Sequence, residues 1–454
     1  MVSFTIIGLN DKISREFNFS VGFGCDLSVK LFGEIGKYGL TEKEIDLINF
    51  AASIYHGEKL FSRYQRTNPP KIIKIRFQSI NPQNWNDTAL EFLSKTLGFM
   101  GNCNWEIEII PYKEKIDIDR SKFNDALNLS DTGIIKQAIL FSGGMDSTCG
   151  LFDKYDEKEE SVLVSFYNRQ KTLQRSIAMK SLDYKRLVQI RMDWKGKQKG
   201  YNKSFLYRSF FFLSLASSIA NTYEFDNNLK KVYQYENGML ALAIPPSPAY
   251  LMTKHSHPIL HKYFEQFLIN YYGGNWEIVN PFKLLTKNQA VQKCYEKFSE
   301  KQVNELLIKT ETCWYQYSNQ LGKNDKNEKI NKQNNIPCGT CIPCINRLTA
   351  FEHGTYQFDF SKAPKSKLKN YMNDSLIGIN YRAYYDFIHQ IKSTIQVDDK
   401  ENIIYNTSKF YFMMPGSVRE LIDYDQDLNI QDLHKLCVMF TEEFERKFTK
   451  IFSL

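Results

Sequence analysis

Between residues 134 and 280 the chain alternates short apolar runs with longer segments of helical period. IIKQAILF, SVLVSFY, KRLVQIRM, KKVYQYE and WEIVNP are the runs, and segments 169–181 and 203–221, with 286–298 beyond them, read as helices. Strands buried on both faces lose the two-residue alternation and become nearly continuous apolar runs, so this pattern predicts a parallel sheet covered by helices on both faces. FLYRSFFFLSLASSIA is apolar nearly all round and is expected to be buried. Arg208 lies inside it, where a guanidinium needs a compensating anion.

The flanks read differently. Residues 1–130 form an expected α+β unit: Thr41-x-x-Glu44 opens a helix with Ile45, Ile48, Ala52 and Tyr55 on one stripe. In KIIKIRF and NWEIEII, apolar residues alternate with Lys74 and Arg76 in the first and Glu106 and Glu108 in the second. If those strands are neighbours, opposite charges face each other on the solvent side. The segment 322–335, GKNDKNEKINKQNN, has almost nothing to bury and reads as a loop. Residues 355–454 return to a helical, aromatic-rich pattern, a C-terminal extension whose role the pattern does not disclose.

The 454 residues, 43% of them apolar, suffice for two or three domains with their own cores. No stretch reaches the roughly 18 apolar residues of a bilayer span, and charged Asp11, Lys12, Arg15 and Glu16 exclude a signal-peptide pattern, so a cytoplasmic protein without a membrane partner is expected. In that compartment the nine cysteines report metal or catalysis rather than disulfides. The net charge of +8 is spread over scattered lysines without an arginine-rich stripe, so nucleic acid is not an expected partner.

Two motifs carry chemistry. In ILFSGGMDST a strand runs into Ser142-Gly143-Gly144, and Asp146 and Ser147 open a helix. Glycines let an anion approach the backbone, and a helix N-terminus favours negative charge, so the loop is expected to cradle a phosphate or pyrophosphate. No Gly-Lys-Ser/Thr follows, which argues against a Walker A loop. Cys149, just inside the helix, reads as a small buried residue. PCGTCIPCINR sets Cys338, Cys341 and Cys344 at C-x2-C-x2-C spacing, and Cys313 in ETCWYQ is a fourth candidate ligand. Four thiolates suit a structural zinc ion; three with an exchangeable position would suit an iron–sulfur cluster.

Ser-Gly-Gly-x-Asp-Ser resembles the PP-loop of the ATP pyrophosphatase superfamily, and together with Cys-Gly-x-Cys-x-x-Cys-x-x-Arg it resembles the QueC family, the 7-cyano-7-deazaguanine synthases, across about residues 134–354. The resemblance implies a doubly wound PP-loop α/β domain at 131–354 with a zinc site. It implies that Ser142, Gly143, Gly144 and Ser147 hold the pyrophosphate part of ATP and that Asp146 helps place Mg2+. A Thr-Lys pair of the family matches Thr286-Lys287. Lys283 and Lys287 both offer an ammonium to developing charge, and Asp146, Lys287 and Arg208 are the expected catalytic residues.

Tyr167 and Arg169 stand where the family has a Tyr-Gly-Gln-Arg turn; Asn168 lies between them. Glu236 and Asn237 close a strand and offer an acid and an amide to a purine-like edge. These four are the expected substrate-binding residues. The family is about half as long and lacks the N-terminal unit, and where it has a YPDCR-like segment this chain reads IPPSPAYLMTKHSHP, with His255 and His257 as acid–base candidates. The longer architecture looks like the QueC-like proteins of bacterial anti-phage operons, of the Qat and type IV CBASS kinds. That implies adenylation of a 7-deazaguanine carboxylate and transfer to an amine of an operon-encoded partner protein. Nitrile formation with ammonia, tRNA thiolation and non-catalytic ATP binding are the alternatives.

Overall fold

Five parallel strands and one antiparallel strand form the larger sheet in the computed structural model of the chain. The structure describes residues 1–8, 13–22, 25–65, 71–112, 133–167, 170–195, 206–244, 254–313, 337–351, 378–397, 403–424 and 428–452. The expected sites Arg169 and Asn168 and the polar segment 322–335 lie outside them.

In chain order the N-terminal elements are β1 (Val2–Ile7), β2 (Ile13–Phe19), β3 (Leu27–Phe32), α1 (Glu42–Gln65), β4 (Ile72–Ser79), α2 (Asp87–Gly101) and β5 (Asn104–Pro111). Next come β6 (Ile134–Ile135), β7 (Gln137–Leu140), α3 (Met145–Asp153), β8 (Ser161–Phe166), α4 (Lys171–Arg175), β9 (Arg186–Trp194), α5 (Arg208–Asn221), β10 (Glu224–Phe225), β11 (Leu229–Tyr233), α6 (Gly238–Ala241), α7 (Pro258–Tyr272) and β12 (Asn275–Val279). The C-terminal third holds α8 (Lys287–Lys297), α9 (Glu300–Leu307), α10 (Ile342–Ala350), α11 (Gly378–Lys392), β13 (Ile395–Val397), β14 (Ile403–Tyr405), α12 (Thr407–Met413), α13 (Gly416–Tyr424) and α14 (Ile430–Phe452).

The chain divides into two compact units. The first comprises Met1–Ser142, Lys154–Tyr235 and Thr253–Asn280; the second comprises Gly143–Asp153, Glu236–Met252 and Pro281–Leu454. These units do not follow the expected boundaries at 130 and 354. The reason at the N-terminal end is β3, which pairs with β9 and so belongs to the larger sheet. At the other end, the described residues from 378 onward cluster with the cysteine segment and α8.

In the first unit the larger sheet runs β12-β11-β7-β8-β9-β3, all parallel except the β3 edge. From β7 the chain steps outward to β8 and β9, then returns to the other side for β11 and β12. The order therefore reverses between β7 and β11, and in open α/β sheets ligands collect beyond the carboxyl ends of the strands at such a point. All five expected runs are strands of this sheet.

α5 is the buried helix of the sequence reading: Phe210, Phe211, Leu213, Leu215, Ala216 and Ile219 are at most 1% exposed. It packs between the sheet and α1, with the Tyr55 and Phe211 rings stacked 5.5 Å apart. α1 carries the expected stripe, but its other faces are buried too, and its inward carboxylates have work there. Both oxygens of Glu58 accept the amides of Leu206 and Tyr207 at 2.7 and 3.0 Å, capping the start of α5. The smaller sheet runs β2-β1-β4-β5. β4 and β5 pair in parallel, which sets Lys74 against Glu106 at 2.6 Å and Arg76 against Glu108 at 2.7 Å, the charge complementarity read from the alternation.

In the second unit α8 and α9 each open with a capping box, Thr286/Gln289 and Ser299/Gln302. No helix among the described residues is long and apolar enough to cross a membrane.

Candidate functional site

The glycine loop leaves β7 as the sequence predicts and enters α3 at Met145. Gly143 has φ +80, in the left-handed region where a Cβ is strained, so glycine is needed here. The carbonyl of Gly144 collects three donors from the first turn of α3: the Thr148 amide at 3.0 Å, the Thr148 hydroxyl at 2.8 Å and the Ser147 hydroxyl at 3.1 Å. These bonds fix the angle at which loop becomes helix. Ser142, in the first unit, is held through its carbonyl by Gln174 Nε2 at 3.0 Å.

Asp146 comes next, and it is almost wholly buried. Its Oδ2 meets Lys287 Nζ at 2.5 Å, with the ammonium side chain only 1% exposed. Its Oδ1 accepts from Asn237 Nδ2 at 3.4 Å, and the same amide donates to Glu236 Oε1 at 3.0 Å. Three segments far apart in sequence thus place two carboxylates, an amide and an ammonium in one cluster. The arrangement is held from both sides: Asn237 caps α6, Thr286 caps α8, and the Gly238 amide donates to Leu285 O at 2.8 Å. A Cβ on Gly238 would stand 2.6 Å from Lys283 O, so this close approach also demands glycine.

Burial raises the Asp146 carboxyl from its ordinary 3.8 to about 6; Lys287 pulls it down and Glu236 pushes it up again. Burial opposes the Lys287 charge, yet Asp146 and then Glu236 hold the ammonium above its ordinary range. The carboxyl binds its proton more tightly folded than unfolded, so its contribution to stability is present at low pH and lost as pH rises from about 4 to about 6. Lys287, also held above its ordinary range, contributes in the same sense but only at higher pH, and it keeps its charge across that window.

Arg208 and Tyr167 belong to the first unit. Arg208 is the first residue of α5 and is exposed, rather than lying inside the buried helix. The Tyr167 hydroxyl accepts from Lys171 Nζ at 2.7 Å, and its ring stacks on Phe32 of β3 at 4.4 Å. His257 is buried as the cap of α7, its Nδ1 accepting the Ile259 amide at 3.3 Å. Burial lowers its pKa to about 3, so it stays neutral and serves the helix. His255 lends its carbonyl to Gln234 Nε2 at 3.0 Å. Cys149 is buried, as expected.

The four cysteines converge. The sulfurs of Cys313, Cys338, Cys341 and Cys344 all lie within 4.8 Å of one another, and Cys338 and Cys344 are 3.9 Å apart. A tetrahedral ion with bonds of about 2.3 Å needs sulfur–sulfur edges of about 3.8 Å, whereas a disulfide needs about 2.05 Å. The cluster can therefore hold a metal ion. Amides are already aimed at sulfur: Cys341 N and Thr340 N point to Cys338 Sγ at 3.3 and 3.4 Å, and Cys338 N points to Cys313 Sγ at 3.3 Å. Thiol hydrogen bonds from Cys313, Cys341 and Cys344 hold Cys338 far below the ordinary thiol range, while burial pushes Cys341 above it. Arg347, the arginine of the motif, is buried and ties α10 to the segment before Cys313 through Thr310 O at 3.0 Å and Leu307 O at 2.7 Å.

The part that sequence reasoning missed is the C-terminal extension. Tyr381 Oη donates to Gly339 O at 2.8 Å and Asn380 Nδ2 to Thr340 O at 3.0 Å, so α11 grips the tip of the cysteine turn. Glu443 of α14 accepts the Thr286 hydroxyl at 2.8 Å. A signal was present: Leu436, Phe440 and Glu443 stand at i, i+4 and i+7, which puts a carboxylate on an apolar stripe.

Compared with known proteins, the chain matches no protein-family model and no curated protein.

Proposed function

We propose that this chain is a PP-loop ATPase of QueC-like chemistry, which adenylates the carboxylate of a 7-deazaguanine and joins it to an amine. The observation that carries the proposal is the buried cluster of Asp146, Lys287, Asn237 and Glu236 directly after the glycine loop. A parallel sheet whose order reverses where that loop leaves it, and a four-sulfur cluster, support the same reading.

In this reaction a carboxylate oxygen attacks the α-phosphorus of ATP and the bond to the β-phosphate oxygen breaks, giving an acyl adenylate and pyrophosphate. An amine then attacks the acyl carbon, AMP leaves, and a proton is released as the amide forms. Gly143, Gly144 and Ser147, with Ser142 before them, would receive the departing pyrophosphate. Lys287 would offset charge developing at phosphorus. Asp146 would share its charge between Lys287 and a bound Mg2+, which supplies further charge neutralisation. Glu236 and Asn237 would read the base. Zinc in the cysteine cluster would be structural. The amine of a partner protein is the proposed acceptor, in an anti-phage setting.

The test is conversion of ATP to AMP and pyrophosphate in the presence of 7-carboxy-7-deazaguanine. Asp146→Ala is expected to remove that turnover, and unchanged turnover would sink the proposal. Turnover is also expected to fall below about pH 6, as Asp146 takes up a proton. Because Glu236 raises that carboxyl, Glu236→Gln should move the acid limb to lower pH. A limb that stays in place in a pH–rate profile would separate Asp146 from the titration.

A further inference from the structure

We infer that Glu443, on the C-terminal helix α14, is a positioning residue for Lys287. This deepens the adenylation reading and, as far as it concerns turnover, rests on it. Glu443 is 5% exposed and sits among Leu436, Phe440 and Phe444, which are all buried. A carboxylate in such a place is costly unless its hydrogen bonds repay the lost water. Its Oε1 accepts the Thr286 hydroxyl at 2.8 Å and Asn288 Nδ2 at 3.3 Å. Those are the two residues on either side of Lys287. Its Oε2 is buried and finds no hydrogen-bond partner among the described residues. The side chain therefore spends its hydrogen bonding on the first turn of α8.

That turn needs the support. Lys287 is the first residue of α8, at the end where the helix dipole is positive and an ammonium is disfavoured. Asp146 answers the charge directly. Glu443 holds both flanking residues, so Lys287 is presented to Asp146 in one orientation. The C-terminal extension is thereby part of the site's construction, although none of its described residues joins the Asp146 cluster itself.

The test uses the full chain and two readouts. The first is acetylation of lysines by acetic anhydride, read by mass spectrometry, with exposed Lys293 on the same helix as internal reference. In the wild-type protein Lys287 is expected to be protected. Glu443→Ala should raise its labelling relative to Lys293 about tenfold, while Glu443→Gln, which keeps an acceptor for Thr286, should stay within about threefold of wild type. The second readout is carboxylate-dependent AMP formation: Glu443→Ala should lower kcat about 10- to 100-fold with the ATP KM nearly unchanged, since misplacing a reacting group by about 1 Å costs that much. If Glu443→Ala does not fold, Thr286→Val removes the same hydrogen bond from the other side and should give the same labelling change. Unchanged Lys287 labelling in the folded variant, or a Glu443→Gln as damaged as Glu443→Ala, overturns the inference. Labelling that responds in a wild-type chain that makes no AMP leaves positioning intact and removes the adenylation reading instead.

Discussion

Lys287→Met is expected to stop AMP formation and, at the same time, to destabilise the fold by about 3–5 kcal/mol, the usual cost of leaving one member of a buried ion pair alone. The side chains of Lys287 and Asp146 are 1% and 9% exposed and meet at 2.5 Å, so water cannot replace the missing ammonium. Asp146 would then hold its proton to higher pH, because Lys287 is what pulls that carboxyl down. Combining Lys287→Met with Asp146→Asn leaves no charge unpaired, so stability should largely return while turnover does not. Urea unfolding of the single and double variants, beside an AMP assay, measures both. A single variant as stable as the wild type would mean that the pair does not carry its charges in the folded state.

Cys341→Ser should have the largest effect on the second unit. Cys341 is fully buried, caps α10 and lies within 4.8 Å of three other sulfurs. Structural zinc in small thiolate sites contributes about 10–16 kcal/mol of apparent binding free energy, most of which appears as folding. Wild-type protein is expected to carry one zinc per chain by elemental analysis, without iron or labile sulfide. Cys341→Ser should lose the metal and the melting transition that depends on it, and a strong chelator should reproduce the loss. Cys313→Ser should be milder, since Cys313 is half-exposed and comes from a separate segment. Iron with stoichiometric sulfide would replace zinc by a cluster.

The strands of the larger sheet were readable because burial on both faces leaves a local mark, a run such as SVLVSF that no surface segment shows. The order of those strands leaves no such mark. β3 was missed for a related reason: LSVKLF is ordinary edge-strand text, and its partner lies in β9. The glycine loop and the cysteine spacing could be read because their chemistry is carried by neighbours in sequence. The pairing of Asp146 with Lys287 could not, since the two are brought together from the starts of separate helices, and a lysine opening a helix is ordinarily solvated. The position of Arg208 at the very start of α5 was not readable, because that start is capped by Glu58 on another helix. No window around residue 208 contains that information. The role of Glu443 was half visible, as a polar residue on an apolar stripe, but its target was not.

The β3–β9 pairing also sets an order of events during synthesis. Leu31 pairs with Ile190, about 160 residues later, and ribosomes add about 5–20 residues per second. For about 8–30 s the emerging chain therefore holds β3 without its partner, beside a helix, α1, whose apolar faces wait for an α5 not yet made. Closing so long a loop is entropically slow, and an unpaired strand is a template for other chains in the meantime. The strand that forms this edge of the finished sheet thus emerges long before the strand that holds it in place.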